Sequence, residues 1–258
     1  MVDFTGMPVY PLTDWNVNNL RFTAFPVMAE RRTDLRWWSE AVGTDSETRT
    51  TRTTPAQIEE SGPFESGGRL SLTVTPVRTD WLLTGIPTPS PSLDSAGIFP
   101  EVYPIFVRLV KRWLALESRF PIQRIAFGGF LIHPEATREA GYERLSRYLK
   151  DALRVDLRTS QDLLFQINKP ILSRIVEGLT INRLTKWLVL SVQFTLLMQA
   201  GVAPMSARGM EQGFATALEL DLNTGAEHEG PLGNERLDYL LDELVQHAVE
   251  MASDGVQG

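Results

Sequence analysis

Two pairs of residues in this sequence have types and spacings that could do chemistry. On "FATALELDLN" (214–223), Glu219 and Asp221 stand two residues apart, with Glu227 and Glu229 close behind. Period-two alternation places both carboxylates on one strand face, opposite Leu218, Leu220 and Leu222. Oxygen ligands so placed suit Mg²⁺, so a metal-dependent hydrolase around Glu219 and Asp221 is one reading. The plainer reading is the solvated face of a half-exposed strand. The second pair, His133 and Glu135, has the types for acid–base work. No further triad or dyad member is recognisable, and His133, His228 and His247 lack metal-ligand spacing.

The adjacent glycines of "RIAFGGFLIH" (124–133) raise phosphate binding. They lack the three spaced glycines of a dinucleotide fingerprint and the Lys-Ser/Thr that closes a P-loop. A buried central strand, with glycines permitting a bend or the close approach of a neighbour, fits better. No nucleophile elbow, zincin helix or kinase set occurs. No catalytic residue and no cofactor is therefore assigned, and the chain leans away from being an enzyme.

Charge is unevenly distributed along the 258 residues, whose net charge is −7. Residues 101–186 carry 15 Lys/Arg against 9 Asp/Glu, whereas residues 187–258 carry 2 against 11. Arg138, Arg144, Arg147, Lys150, Arg154, Arg158, Arg183 and Lys186 form a candidate basic binding surface, with Arg174 among them. Such groups could contact phosphates, which makes nucleic-acid binding through 138–186 an alternative function. Base-stacking aromatics are not interleaved with them. The same charges could lace an exposed helix or pair with the acidic final third.

The elements that would position these groups follow from periodicity. Residues 17–27 read as a strand ending near Pro26, and 28–43 as a helix using Met28, Leu35, Trp38 and Val42, closed by Gly43. Residues 44–68 are polar and rich in Thr, Ser and Gly, predicting a long loop. Residues 69–86 alternate as a hairpin, and 87–97 form a Pro/Ser connector. A helix follows from 99 to 117, with Pro104 expected in its first turn. Then come a strand at 122–132, a helix from about Pro134 to Lys150, and strands at 162–168, 185–198 and 214–223. In 185–198 the even positions, Leu188 to Met198, form one apolar stripe. The last helix, 234–252, has Asn234 as its expected N-cap.

The fold class expected is α+β, with a mostly antiparallel, curved sheet and amphipathic helices mainly on one face. Residues 1–98 and 99–258 read as two halves of one continuous domain. Along the chain the order strand, helix, strand, strand, helix is run through twice, as two pseudo-repeats would, the 99–117 helix closing the first and one additional strand falling in the second. With 43% hydrophobic residues, no cysteine and no run of eighteen apolar residues, a membrane span, disulfides and a thiolate nucleophile are not expected. The opening residues lack a secretory pattern, so a cytoplasmic protein is expected.

"IQRIAFGGFLIHP" and the helix after it, "DLLFQIN…KWLVLSVQF", "ALELDLNT" and the helix after "GNERLDYLLDELVQH" resemble a sporadically distributed, uncharacterised prokaryotic family of about this length. Members carry Arg-hydrophobic-Gly-hydrophobic-Arg-Tyr-hydrophobic-Asn where this chain has Arg124 to His133. Here "GGFLIH" replaces the Arg-Tyr-x-Asn portion. The resemblance spans the final 160 residues or so and implies a cytoplasmic α+β protein without an established activity. The family's patchy distribution is similar to that of defence and toxin–antitoxin genes, which implies an accessory role. The expected function is a non-catalytic protein-binding or assembly component, with a protein partner, a homo-oligomer or both, and no membrane.

Overall fold

A computed structural model of the chain describes residues 11–29, 35–86, 93–149, 152, 162–193 and 212–257. The elements are β1 (Asn16–Pro26), α1 (Trp37–Val42), β2 (Thr48–Thr53), β3 (Ala56–Pro63), β4 (Arg69–Val74), β5 (Thr79–Thr84) and α2 (Phe99–Leu114). They continue as β6 (Ile122–Glu135), α3 (Arg138–Tyr148), β7 (Leu164–Asn168), β8 (Ile171–Leu172), β9 (Thr180–Gln193), β10 (Gln212–Thr224) and α4 (Leu237–Asp254). The strands form one sheet in the order β2-β3-β4-β5-β1-β6-β10-β9-β7, with β8 also on β9. Every pairing is antiparallel.

Read outward from the central β1–β6 pair, each half has the same plan. The last strand of a half, β5 or β10, returns beside its first. The surplus strand belongs to the first half, where β2 extends the sheet, and not to the second, where β7 and β8 are two pieces along β9. The expected loop 44–68 holds the β2–β3 hairpin responsible. Alternation is hidden there because the inward positions of β3 are Ile58, Glu60 and Gly62, one apolar residue in three. The Thr-rich "TRTTRT" of β2 has β propensity but buries nothing.

The helices lie on one face. Phe22 of β1 meets Trp113 of α2, and Trp38 of α1 meets Trp81 of β5. Leu218, Leu220 and Leu222 of β10 share one core with Leu240, Leu241 and Leu244 of α4. α3 docks through Gly141, where a Cβ would sit 3.0 Å from Val189 and 3.4 Å from the Thr216 hydroxyl.

Helix boundaries differ from the periodic reading. α1 is confined to Trp37–Val42, with Gly43 in the left-handed conformation at its C-cap, and Met28 is exposed and non-helical. Pro100 occupies the first turn of α2, and Pro104 lies one turn further in. α4 begins at Leu237, after a 3-10 turn at Asn234–Arg236, so Asn234 does not cap it.

The largest correction concerns β9. Its buried residues are the odd ones, Ile181, Arg183, Thr185 and Trp187, while Leu184, Leu188 and Leu190 are half-buried on the opposite face. One Trp outweighs several Leu in the choice of face. Trp187 fits between Trp15 and Tyr148, with ring centroids 6.2 Å and 5.0 Å away. The buried polar groups beside it are satisfied: Arg183 Nε donates to the Lys169 carbonyl at 2.9 Å, and Trp187 Nε1 to Thr185 at 3.2 Å. Residues 194–198 of the expected strand lie outside the described residues.

Glu243 of α4 is 3% exposed and ties the segment after β8 to the helix layer. It accepts from the Ser173 hydroxyl at 2.6 Å, the Arg174 amide at 2.8 Å and Arg174 Nε at 3.1 Å. Burial pushes its carboxyl up, but these donors outweigh burial and hold it below the ordinary glutamate value. A depressed folded pKa contributes stability that is present above the unfolded pKa and is lost as pH falls through the folded one. Glu243→Ala is expected to cost about 2–3 kcal/mol near neutrality. The difference from wild type should shrink as pH drops below the carboxylate range, measured by urea melts along a pH series.

Candidate functional site

Every described helix lies on one side of the sheet, so none of the described helices covers the other face, where Ile132, Ala215 and Ala217 are buried and the rows through Gly128 and Phe130 are more open. Its centre is set by register. Gly128 of β6 lies between Arg21 of β1 and Asp221 of β10, with Leu82 of β5 outside Arg21 and Leu184 of β9 outside Asp221. The next row places Phe130 between Asn19 and Glu219. Arg21 is exposed, and Leu82, Phe130, Leu184 and Asp221 are half-buried.

The glycine pair has a steric cause. A Cβ on Gly128 would lie 2.5 Å from the Leu220 carbonyl oxygen. One on Gly129 would meet the Asn19 carbonyl oxygen at 2.9 Å and Leu20 at 2.8 Å. Close approach by both neighbouring strands therefore excludes side chains at both positions.

An amide relay crosses this face. The Arg183 N–H donates to Asn168 Oδ1 at 2.9 Å. Asn168 Nδ2 then donates to Asn182, Asn182 to Asn223 and Asn223 to Asp221 Oδ1, each at 3.1 Å. A backbone donor at one end and a carboxylate at the other fix the direction of every bond. Bonds aligned this way reinforce one another and fix the orientation of the Asp221 carboxylate. Its Oδ2 and the Arg21 guanidinium have no partner among the described residues.

Glu219 points to the same face but is occupied. Lys186 donates to both of its oxygens at 3.0 Å. Among the described residues no three His, Cys, Asp or Glu side chains gather to hold a metal ion. The strand carrying Glu219 and Asp221 lies inside the sheet, between β6 and β9, and is not an edge.

His133 and Glu135 do come together, with Nδ1 and Oε1 3.1 Å apart. Arg144 Nη2 lies 3.0 Å from His133 Nε2 and can only donate, so the ring proton sits on Nδ1. Glu135 Oε1 also accepts from Arg144 Nε at 2.7 Å and Thr216 at 2.9 Å, and Arg144 Nη1 reaches Asp14 at 2.8 Å. Burial opposes the Arg144 charge, but its bonds to Glu135 and Asp14 outweigh burial and raise its pKa. Three groups converging on one oxygen hold the Glu135 carboxylate in a fixed orientation. The cluster clasps α3 and the chain before β1 to the end of β6.

The candidate basic residues that are described are not gathered on one surface. Arg138 stacks over Phe214 at 5.8 Å, Arg144 belongs to the clasp, and Arg147 pairs along α3 with Glu143 at 3.1 Å. Arg183 is buried on the helix side, where burial pushes its pKa down. Lys186 lies on the opposite face. Lys150, Arg154 and Arg158 lie outside the described residues. Arg21, Asn168, Asn182 and Asn223 were not singled out by sequence. Their one signal is Asn, a poor strand former, recurring inside strand segments.

Recesses on the helix side are lined by described residues of α1, α2 and α4. A groove of about 810 Å³ runs between α2 and α4 and is crossed by a Lys111–Asp242 ion pair of 2.6 Å. A smaller recess of about 380 Å³ beside α1 is lined by Arg36, Trp38, Arg49 and Glu60. There Glu60 already accepts from Arg49 and Ser46, and its second oxygen is buried out of reach.

No family model, no curated protein and no solved structure matches the chain. No described helix is long and apolar enough to cross a membrane.

Proposed function

We propose that this protein is a non-catalytic protein-binding or assembly component that works through the helix-free face of its sheet. The observation that carries this is the asymmetry of the layers. The described helices cover one face, while Leu82, Phe130 and Leu184 remain half-exposed beside Arg21 and Asp221, which have no ion-pair partner among the described residues, at the centre of the other. The two carboxylate-based chemistries are disfavoured because Glu219 is held by Lys186 and Glu135 by three donors. The dispersal of the basic residues disfavours a nucleic-acid surface. An accessory role beside a partner gene product suits the resemblance noted in the sequence.

The test is face-dependent capture from lysate of the native source, using the tagged full chain. The wild type is expected to retain a stoichiometric protein, a copy of itself included. Leu184→Asp should lose it, and the helix-side change Arg112→Glu should keep it. Equal capture by wild type and Leu184→Asp would overturn the assignment of this face.

A further inference from the structure

The occupant of the helix-free face can be specified from its own charge pattern, given that the face is the docking surface proposed above. We infer that it receives a second copy of this chain, stacked face to face about a twofold axis running along β6. Such an axis exchanges the strands on either side of β6. β1 of one copy then lies over β10 of the other, β5 over β9, and β4 over β7, which matches the sheet order strand for strand.

The row through Gly128 decides between possible axes. With the axis along β6, Arg21 of each copy faces Asp221 of the other, giving two reciprocal ion pairs. Leu82 faces Leu184, and Gly128 faces Gly128. In the row through Phe130, the two phenyl rings face each other and Asn19 faces Glu219. An axis at right angles to the strands would instead set Arg21 against Arg21 and Asp221 against Asp221. Like charges directly opposed are destabilising, so the charges select the first arrangement.

Reach and area agree with this choice. Stacked sheets lie about 10 Å apart, a gap that an arginine and an aspartate together can span. The absent side chain at Gly128 leaves the midline free for both copies. From β4 to β7 the face spans seven strands. At about 4.8 Å per strand and about 20 Å along them the sheet itself extends over roughly 670 Å² per copy, the scale of stable interfaces, with Ile132, Ala215 and Ala217 at one end already buried in the single chain. Arg21 and Asp221 Oδ2, both without a partner among the described residues, gain one each.

Sedimentation equilibrium of the full chain with a charge-swap series tests this. The wild type should be a dimer. Arg21→Asp and Asp221→Arg should each weaken it at least about tenfold. The double variant should restore it, which also shows that the single variants fail through charge and not through misfolding. If the wild type dimerises but neither single variant weakens it, this arrangement is overturned while an assembly function through another surface stands. A wild type that stays monomeric overturns it as well, and face-dependent capture then judges the broader reading alone.

Discussion

Gly128→Val is expected to cost about 3 kcal/mol or more, and to lower Tm by roughly 6–12 °C in a chain of this size. The added Cβ would lie 2.5 Å from the Leu220 carbonyl oxygen, a backbone atom fixed by the pairing of β10 with both β6 and β9. A backbone neighbour cannot swing aside as a side chain can, so β6 and β10 must separate. Gly129→Val meets a backbone oxygen at 2.9 Å and one flexible leucine tip, and is expected to cost somewhat less. Urea unfolding of both variants against wild type reads the order. Equal stability of Gly128→Val and wild type would contradict the close approach of β6 and β10.

Trp187→Ala is expected to cost about 3–5 kcal/mol, and Leu188→Ala no more than about 1 kcal/mol. Trp187 is fully buried between Trp15 and Tyr148, whereas its neighbour Leu188 is half-buried on the other face. The alternation of β9 taken by itself predicts the opposite order, because its leucines occupy the even positions. The pair of melts therefore distinguishes the two registers directly. A larger loss for Leu188→Ala would show that β9 faces the other way.

These cases show what was legible in the sequence. β4 and β10 announced themselves because one face of each meets the core and their residues alternate, β5 through its hairpin with β4, and β1 and β6 through runs of apolar and aromatic β-formers. α2 and α4 did so through broad apolar stripes. β3 was hidden because Glu60 and Gly62 occupy inward positions. β9 showed its period but not its phase, since a half-covered face tolerates leucine as readily as the core does. The glycine pair was readable as a packing feature, but its cause, two neighbouring backbones, depends on contacts distant in sequence. The central row of the helix-free face was illegible for the same reason. Arg21, Gly128 and Asp221 are separated by about 100 residues each and become neighbours only through register. Asp221 was visible as half of a carboxylate pair, yet its observed partner is Asn223, while Glu219 belongs to Lys186.

The central claim is that the helix-free face is the surface covered on assembly. Hydroxyl-radical footprinting of the full chain, read by mass spectrometry at rising protein concentration, addresses it most directly. Phe130 and Leu184 should lose reactivity together as the chain assembles, while exposed Tyr239 on α4 and Met28 beyond β1 stay reactive throughout. Unchanged reactivity of Phe130 and Leu184 in the assembled form, or protection confined to α2 and α4, would contradict the account.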